Sequence, residues 1–225
     1  MNENSICAIL LAAGTGSRMK SKTKKQFIDI NGLPLFYYSA KTMSEIDIID
    51  KIIIVTTPDD IEYVKSIVEK NNLHKVYDVV PGGKRRQDSV KEGVNIIPEN
   101  YKHILIHDSA RPFVKKEDII NVINNGIKYD CSVLGVKVKD TIREIDKDGF
   151  SLRTPDREYL ISVQTPQVVI RDVIKTGLEK YNDCLFTDDA GIMEAMGYKT
   201  KITEGSYNNI KITTQEDLIY LKDLI

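Results

Sequence analysis

Residues 8–26, AILLAAGTGSRMKSKTKKQ, decide how this chain is read. The apolar run through Ala12 reads as a buried strand, Ala13 to Gly16 as a small-residue turn, and Arg18 to Lys25 as a basic loop. Gly14 and Gly16 let backbone N–H groups approach an anion with no Cβ in the way, while Arg18 and Lys25 bring cations to the same region. A polyphosphate fits that arrangement. Taken by themselves, the glycines are equally well explained as an ordinary structural turn.

Two common phosphate motifs do not match. A dinucleotide fingerprint, G-x-G-x-x-G, needs a third glycine where Met19 stands, and the P-loop pattern G-x-x-x-x-G-K-[ST] is absent. Lys20, Lys22 and Lys24 read as solvated surface lysines.

Working outward, further strand-like runs occur at Lys51–Thr56, His103–His107 and Ser132–Val138, the first strand being Cys7–Ala12. Helical patterns lie between them at Pro34–Met43, Ile61–Lys70, Ser89–Ile96 and Lys116–Tyr129. Others follow at Arg171–Tyr181, at Asp188–Met196 and, capped by Thr213 or Thr214, at Thr214–Leu224. Strands alternating with helices imply an α/β fold: a Rossmann-like, mostly parallel sheet with helices on both faces, spanning residues 1–225 as one domain. Ligands of such sheets collect beyond the carboxyl ends of the strands. From about 139 to 157 the chain turns polar, and Asp148-Gly149 marks a hairpin between 141–145 and 150–154. This β-arm projects from the sheet, and two strands alone are marginal, so it is expected to pack on something such as a second subunit.

Bulk properties narrow the function. With 32 Lys+Arg against 33 Asp+Glu the net charge is −1, which argues against nucleic acid or an anionic membrane as partner. No apolar run approaches the roughly 20 residues of a membrane-spanning helix. MNENS lacks the basic region of a signal peptide, so a cytoplasmic location is expected. Cys7, Cys131 and Cys184 are read as buried free thiols.

Other constellations have modest individual readings. Asp108 and Ser109 follow an apolar strand, where an aspartate can serve a metal-bound nucleotide or simply cap a turn with Arg111. Gly82 to Val90, GGKRRQDSV, begins a helix in which Ser89 is most simply a cap or first-turn residue. Thr187-Asp188 reads as a helix N-cap, Lys211 as the exposed face of an alternating strand, and His74 and His103 as surface or packing residues.

The order of these motifs is more specific than any of them. AAGTGSRM followed by KKQF resembles the opening of sugar-nucleotide pyrophosphorylases and cytidylyltransferases, with Lys24 where those usually carry proline. G-G-x-x-R-x-x-S-V, then Lys139-Asp140-Thr141-Ile142, Asp156-Arg157-Glu158, Gln164-Thr165-Pro166-Gln167, Thr187-Asp188-Asp189-Ala190 and GSYNNIKIT are similar to the 2-C-methyl-D-erythritol 4-phosphate cytidylyltransferase family of non-mevalonate isoprenoid synthesis. The resemblance implies the nucleotide-diphospho-sugar transferase type of fold and a reaction of CTP with a polyol phosphate, assisted by Mg2+. It implies that Arg18, Lys25 and Asp108 are catalytic, Asp108 also lying near the metal. Ala13, Gly14, Thr15, Gly16, Gly82, Arg86, Ser89 and Ser109 would bind the nucleotide. Arg111, Asp140, Thr141, Arg157, Thr165, Thr187 and Lys211 would serve the acceptor, those of the arm reaching it across a homodimer interface. No protein nucleophile is required, because the acceptor's own phosphate oxygen attacks the α-phosphorus. Three alternatives stand beside this one: the related ribitol-5-phosphate cytidylyltransferases, a non-catalytic nucleotide-binding protein on the same fold, and, most weakly, a nicotinamide dehydrogenase.

Overall fold

The computed structural model describes residues 5–14 and 24–221. The chain begins with strand β1 (Ile6–Ala12) and continues through a small ribbon, β2 (Asp29–Ile30) and β3 (Leu33–Pro34), to helix α1 (Leu35–Ser44). There follow β4 (Ile49–Thr56), α2 (Ile61–Lys70), β5 (Val76–Pro81), α3 (Arg86–Asn95) and β6 (His103–Asp108). Next come α4 (Lys116–Tyr129), β7 (Cys131–Lys137), and the arm strands β8 (Glu144–Ile145) and β9 (Ser151–Arg153). The last elements are β10 (Ile161–Ile170), α5 (Arg171–Lys180), α6 (Asp189–Ala195) and β11 (Lys201–Glu204).

Seven strands form one sheet in the order β11-β7-β10-β6-β1-β4-β5, and β10 alone runs antiparallel to its neighbours. Because side chains alternate across a strand, β1 feeds two cores. Ile6, Ala8, Leu10 and Ala12 pack under α1 and α4, whereas Cys7 and Ile9 face α3, α5 and α6. Helices therefore cover both faces, as the alternating pattern implies. β1, β4 and β6 are buried almost throughout, which a parallel sheet covered on two sides requires.

Three strands of this sheet had no clear sequence signal. β5 is a half-exposed edge, and β11 has four residues with only Thr203 buried. β10 carries the polar run Gln164–Gln167 with Pro166 inside it, and its pairing with β7 breaks register between Val163 and Gln167. A proline mid-strand normally argues against a strand, and that register break is where it is tolerated.

Other expectations are corrected. Helix α3 starts at Arg86, three residues before Ser89, since Asp88 reaches back to accept a hydrogen bond from the Arg85 N–H at 2.9 Å, as the third helical residue does in a capping box. Instead of an α-helix from Thr214, the described chain makes a 3-10 helix at Glu216–Leu221. There one Asp217 oxygen draws in the N–H groups of Thr213 and Thr214 at 2.7 and 2.8 Å, so the acid caps the threonines and not the reverse. Lys211 lies in an irregular segment held by the Ile212 N–H on the Ala110 carbonyl, not in a strand. Cys7 and Cys131 are buried, but Cys184 is exposed in the loop after α5. The arm turns as expected, Gly149 taking a φ of +88° that glycine accommodates without strain.

Candidate active site

Beyond the carboxyl ends of β1, β4, β5 and β6 lies a cleft of about 550 Å3. Asp108 reaches it because β6 ends there, paired in register with Leu11 near the end of β1. Ala13, Gly14, Lys25, Gly82, Arg86, Ser89, Ser109 and Lys211 also line it. Lys25 crosses the turn so closely that a Cβ on Gly14 would stand 3.3 Å from its Cε. Gly82 has no space for a side chain: its Cβ would fall 2.7 Å from both the Ala13 Cβ and the Ser89 Oγ. Ser89 itself accepts a hydrogen bond from the Gly83 N–H at 3.2 Å and donates to the Arg85 carbonyl at 3.3 Å, which shapes the loop. Thr15, Gly16 and Arg18 lie outside the described residues.

A second cavity, about 220 Å3, is lined by Arg111, Thr165, Thr187 and Asp188. It shares Arg86, Asp108 and Lys211 with the larger cleft, so these three charged side chains form the boundary between two compartments. Lys211 Nζ meets Asp108 Oδ2 at 2.6 Å, and Arg86 Nε meets Asp108 Oδ1 at 3.2 Å. Burial would push the Asp108 carboxyl up, but Arg86 and Lys211 override it and hold the group well below the ordinary range. Arg86 also donates from both Nη atoms to the buried Asp189 carboxylate, at 2.9 and 2.8 Å. Burial opposes its charge, and the two carboxylates more than restore it. Arg86 is thus braced between two acids instead of projecting freely towards a base.

Behind Asp108, His107 is completely buried and its imidazole is pushed down to about 4 by desolvation, so the ring is neutral near pH 7. Its Nε2 lies 3.1 Å from the Arg111 carbonyl, which can only accept, so the ring proton sits there. Nδ1 must then accept from the Thr165 hydroxyl at 3.1 Å, and Thr165 Oγ1 in turn accepts the Asp108 N–H at 3.1 Å. The Thr165 proton is therefore committed to His107. Asp188 caps α6 by accepting the Gly191 N–H at 3.1 Å, as the N-cap reading requires. Gln167 Oε1 accepts the N–H groups of Asp189 and Ala190, both at 3.0 Å.

The arm residues do not join this site within one chain. Asp140 and Thr141 are exposed, and Arg157 donates to the Lys139 carbonyl at 2.6 Å in a separate recess with Lys137, Asp156 and Glu158.

The model of the 2-C-methyl-D-erythritol 4-phosphate cytidylyltransferase family matches residues 6–224. The chain belongs to that family. It is 42% identical over 217 residues to the enzyme so named from Caldanaerobacter subterraneus, covering 95% of this chain and 96% of the relative. To the Clostridium novyi enzyme of that name it is 45% identical, covering 94% and 93%. The crystal structure of 4-diphosphocytidyl-2C-methyl-D-erythritol synthase from Anaerococcus prevotii superposes with a TM-score of 0.85 at 35% identity, over 99% of this chain and 96% of that one. The mostly parallel sheet with helices on both faces is thus the fold of the cytidylyltransferase family.

Among the described residues, no cluster of three or more His, Cys, Asp or Glu side chains could hold a metal. Of the described residues lining the cleft only Asp108 carries a carboxylate, and its two oxygens meet Lys211 and Arg86; an ion such as Mg2+ held beside phosphates takes one or two carboxylates, with the phosphates supplying further oxygens. Sequence reasoning missed His107, Asp189 and Gln167 as site builders. The motifs containing them were visible, but only the fold shows that a half-buried Arg86 has its counter-charge on α6. Lys24, read as a surface lysine, instead ties the turn to the start of α2 by meeting Asp60 at 2.5 Å and Thr57 at 2.9 Å. No helix among the described residues is long and apolar enough to cross a membrane.

Proposed function

We propose that this protein transfers the cytidylyl group of CTP to 2-C-methyl-D-erythritol 4-phosphate, releasing pyrophosphate and forming 4-diphosphocytidyl-2-C-methyl-D-erythritol. The observation that carries the reading is the pair of cavities meeting at Arg86, Asp108 and Lys211. CTP occupies the larger, its base against the Gly82 and Ser89 loop and its triphosphate by Lys25, with Arg18 supplied by the glycine loop. The acceptor occupies the smaller, its phosphate drawn by Lys211 and Arg111.

An acceptor phosphate oxygen attacks the α-phosphorus while pyrophosphate departs in line. Both reactants are anions, so the protein's task is to align them and to spread developing charge. Lys25 and Arg18 neutralise the departing pyrophosphate. Asp108, kept ionised by its two cations, orients Lys211 and is the residue that would hold a Mg2+ bound with the triphosphate, which would supply Lewis-acid charge neutralisation. Thr165, its proton held by His107, fixes the Asp108 backbone instead of donating to phosphate. Arg157, Asp140 and Thr141 complete an acceptor site in the other subunit of a homodimer, a reading supported by Arg157 lining a separate recess and by none of the three lining their own chain's two cavities. The setting is the cytoplasm, where CTP is available.

The ribitol-5-phosphate alternative shares the glycine loop, Q-T-P-Q and the closing N-I-K-I-T-T, but the named relatives and the K-D-T-I and T-D-D-A motifs favour the erythritol phosphate. A binding protein without activity is disfavoured by the retention of Arg18, Lys25 and Asp108. Incubating the protein with CTP, Mg2+ and each acceptor in turn tests the assignment. Pyrophosphate release with methylerythritol phosphate alone is expected, and release only with ribitol phosphate, or CTP binding without release, overturns it.

A further inference from the structure

Gln26 is 1% exposed and lines the 550 Å3 cleft next to Lys25, yet neither its Nε2 nor its Oε1 has a hydrogen-bond partner. Leaving a buried carboxamide unpaired is costly, and such groups are rare in folded proteins. The local backbone is orderly: the Phe27 N–H bonds to the Lys24 carbonyl at 2.9 Å and the Ile28 N–H to the Lys25 carbonyl at 3.2 Å, making a tight 3-10 turn. Phe27 packs edge-on against Phe36 and Tyr63, which anchors the turn to α1 and α2. Lys24 fixes its other side to Asp60. Gln26 thus stands in the cleft wall on a rigid support, its carboxamide closed off from solvent with donor and acceptor unused.

We propose that Gln26 is a nucleotide-binding residue whose carboxamide is completed only by bound CTP, Nε2 donating to an oxygen of the sugar–triphosphate portion and Oε1 accepting from a sugar hydroxyl. The proposal rests on the cleft being the CTP site. The sugar–triphosphate portion is the partner because Lys25, adjacent in the turn, faces the phosphates, and because a ribose supplies the donor that phosphate oxygens lack. An apolar residue at position 26 would suit the empty protein better, so glutamine there is a stability cost retained for binding.

The test compares Gln26→Met and Gln26→Glu with the unaltered full chain, measuring thermal unfolding without ligand, CTP affinity by calorimetry, and turnover. Gln26→Met is expected to unfold at the same or higher temperature, because it removes two unpaired polar atoms, while binding CTP about tenfold or more weakly. Gln26→Glu keeps the shape but loses the donor and adds charge, and should weaken CTP at least as much. CTP binding within twofold of the unaltered protein in either folded variant overturns the proposal. Should Gln26→Met fail to fold, Gln26→Glu decides alone. An unaltered protein that binds no CTP overturns the cleft assignment, a result distinct from variants that bind normally.

Discussion

Lys211 and Asp108, 103 residues apart in sequence, meet at 2.6 Å where the two cavities join. The pair stands on the boundary shared by the two cavities, which the proposed function gives to CTP and to the acceptor. Replacing Lys211 with methionine keeps the stem and removes the charge. The expected effect is a fall in kcat/KM for the acceptor of about tenfold to a hundredfold, the size of a lost charge-assisted hydrogen bond. CTP affinity should change by no more than a few fold. Steady-state kinetics with each substrate varied in turn would check this, and an equal loss for both would place Lys211 with the triphosphate instead.

The Arg86–Asp189 pair has a structural consequence of its own. Asp189 is buried and its carboxylate is bound at two points, so Arg86→Met would strand a charge in the interior. Removing one partner of a buried pair typically costs about 3–5 kcal/mol. Urea unfolding should show a loss of that order, and adding Asp189→Asn should recover part of it. A loss under about 1 kcal/mol would mean that water reaches Asp189 easily.

His107 makes stability depend on pH in a stated direction. Its folded value is about 4 against 6.5 for the unfolded chain, because burial penalises the charged ring. The unfolded state therefore binds more protons between these values. The contribution is complete above pH 6.5 and is lost as pH falls towards 4, amounting to about 3 kcal/mol over the interval. His103, also lowered by burial, acts in the same direction. Unfolding midpoints across that pH range should rise with pH, and His107→Gln, which can still donate to the Arg111 carbonyl and accept from Thr165, should flatten the slope.

What the chain discloses before folding follows from which interactions are local. β1, β4 and β6 are continuous apolar runs because both their faces are covered, so their existence and the position of Asp108 at a strand end are legible. β10 is not, since Gln164, Thr165 and Gln167 are buried polar residues satisfied by partners elsewhere, such as Asn209 Nδ2 on the Gln164 Oε1 at 3.0 Å. Polar residues hidden by tertiary hydrogen bonds look like a loop when read singly. Arg86 was singled out by its motif, but its two acid partners lie 22 and 103 residues away. Lys24 looked like solvent-facing charge for the same reason.

The Lys24–Asp60 contact invites a reciprocal test. It joins the turn carrying Lys25 to the segment of Thr57 and Pro58, which also lines the cleft. Both side chains are partly exposed, so Lys24→Ala should change stability by less than about 1 kcal/mol. Its KM for CTP should nevertheless rise several fold, because Lys25 loses its fixed support. Exchanging the charges, Lys24→Asp with Asp60→Lys, should restore part of that loss; failure to restore any would assign the effect to Lys24 alone.

The arm presents Ile145, Phe150 and Leu152 to solvent at 61, 72 and 65% exposure, with Tyr159 near its base at 81%. Two short strands cannot bury these residues between themselves, and a hydrophobic surface of this kind favours association. In the homodimer we propose, the partner covers them and the arm delivers Arg157 to the partner's acceptor cavity. The double substitution Phe150→Asp and Leu152→Asp should then shift the protein from dimer to monomer in sedimentation. The same variant should lose acceptor affinity while retaining CTP binding, since the residues around the nucleotide cleft belong to one chain. A monomeric variant with unchanged KM for the acceptor would show that each chain builds its site alone, and Arg157 would leave the list of binding residues.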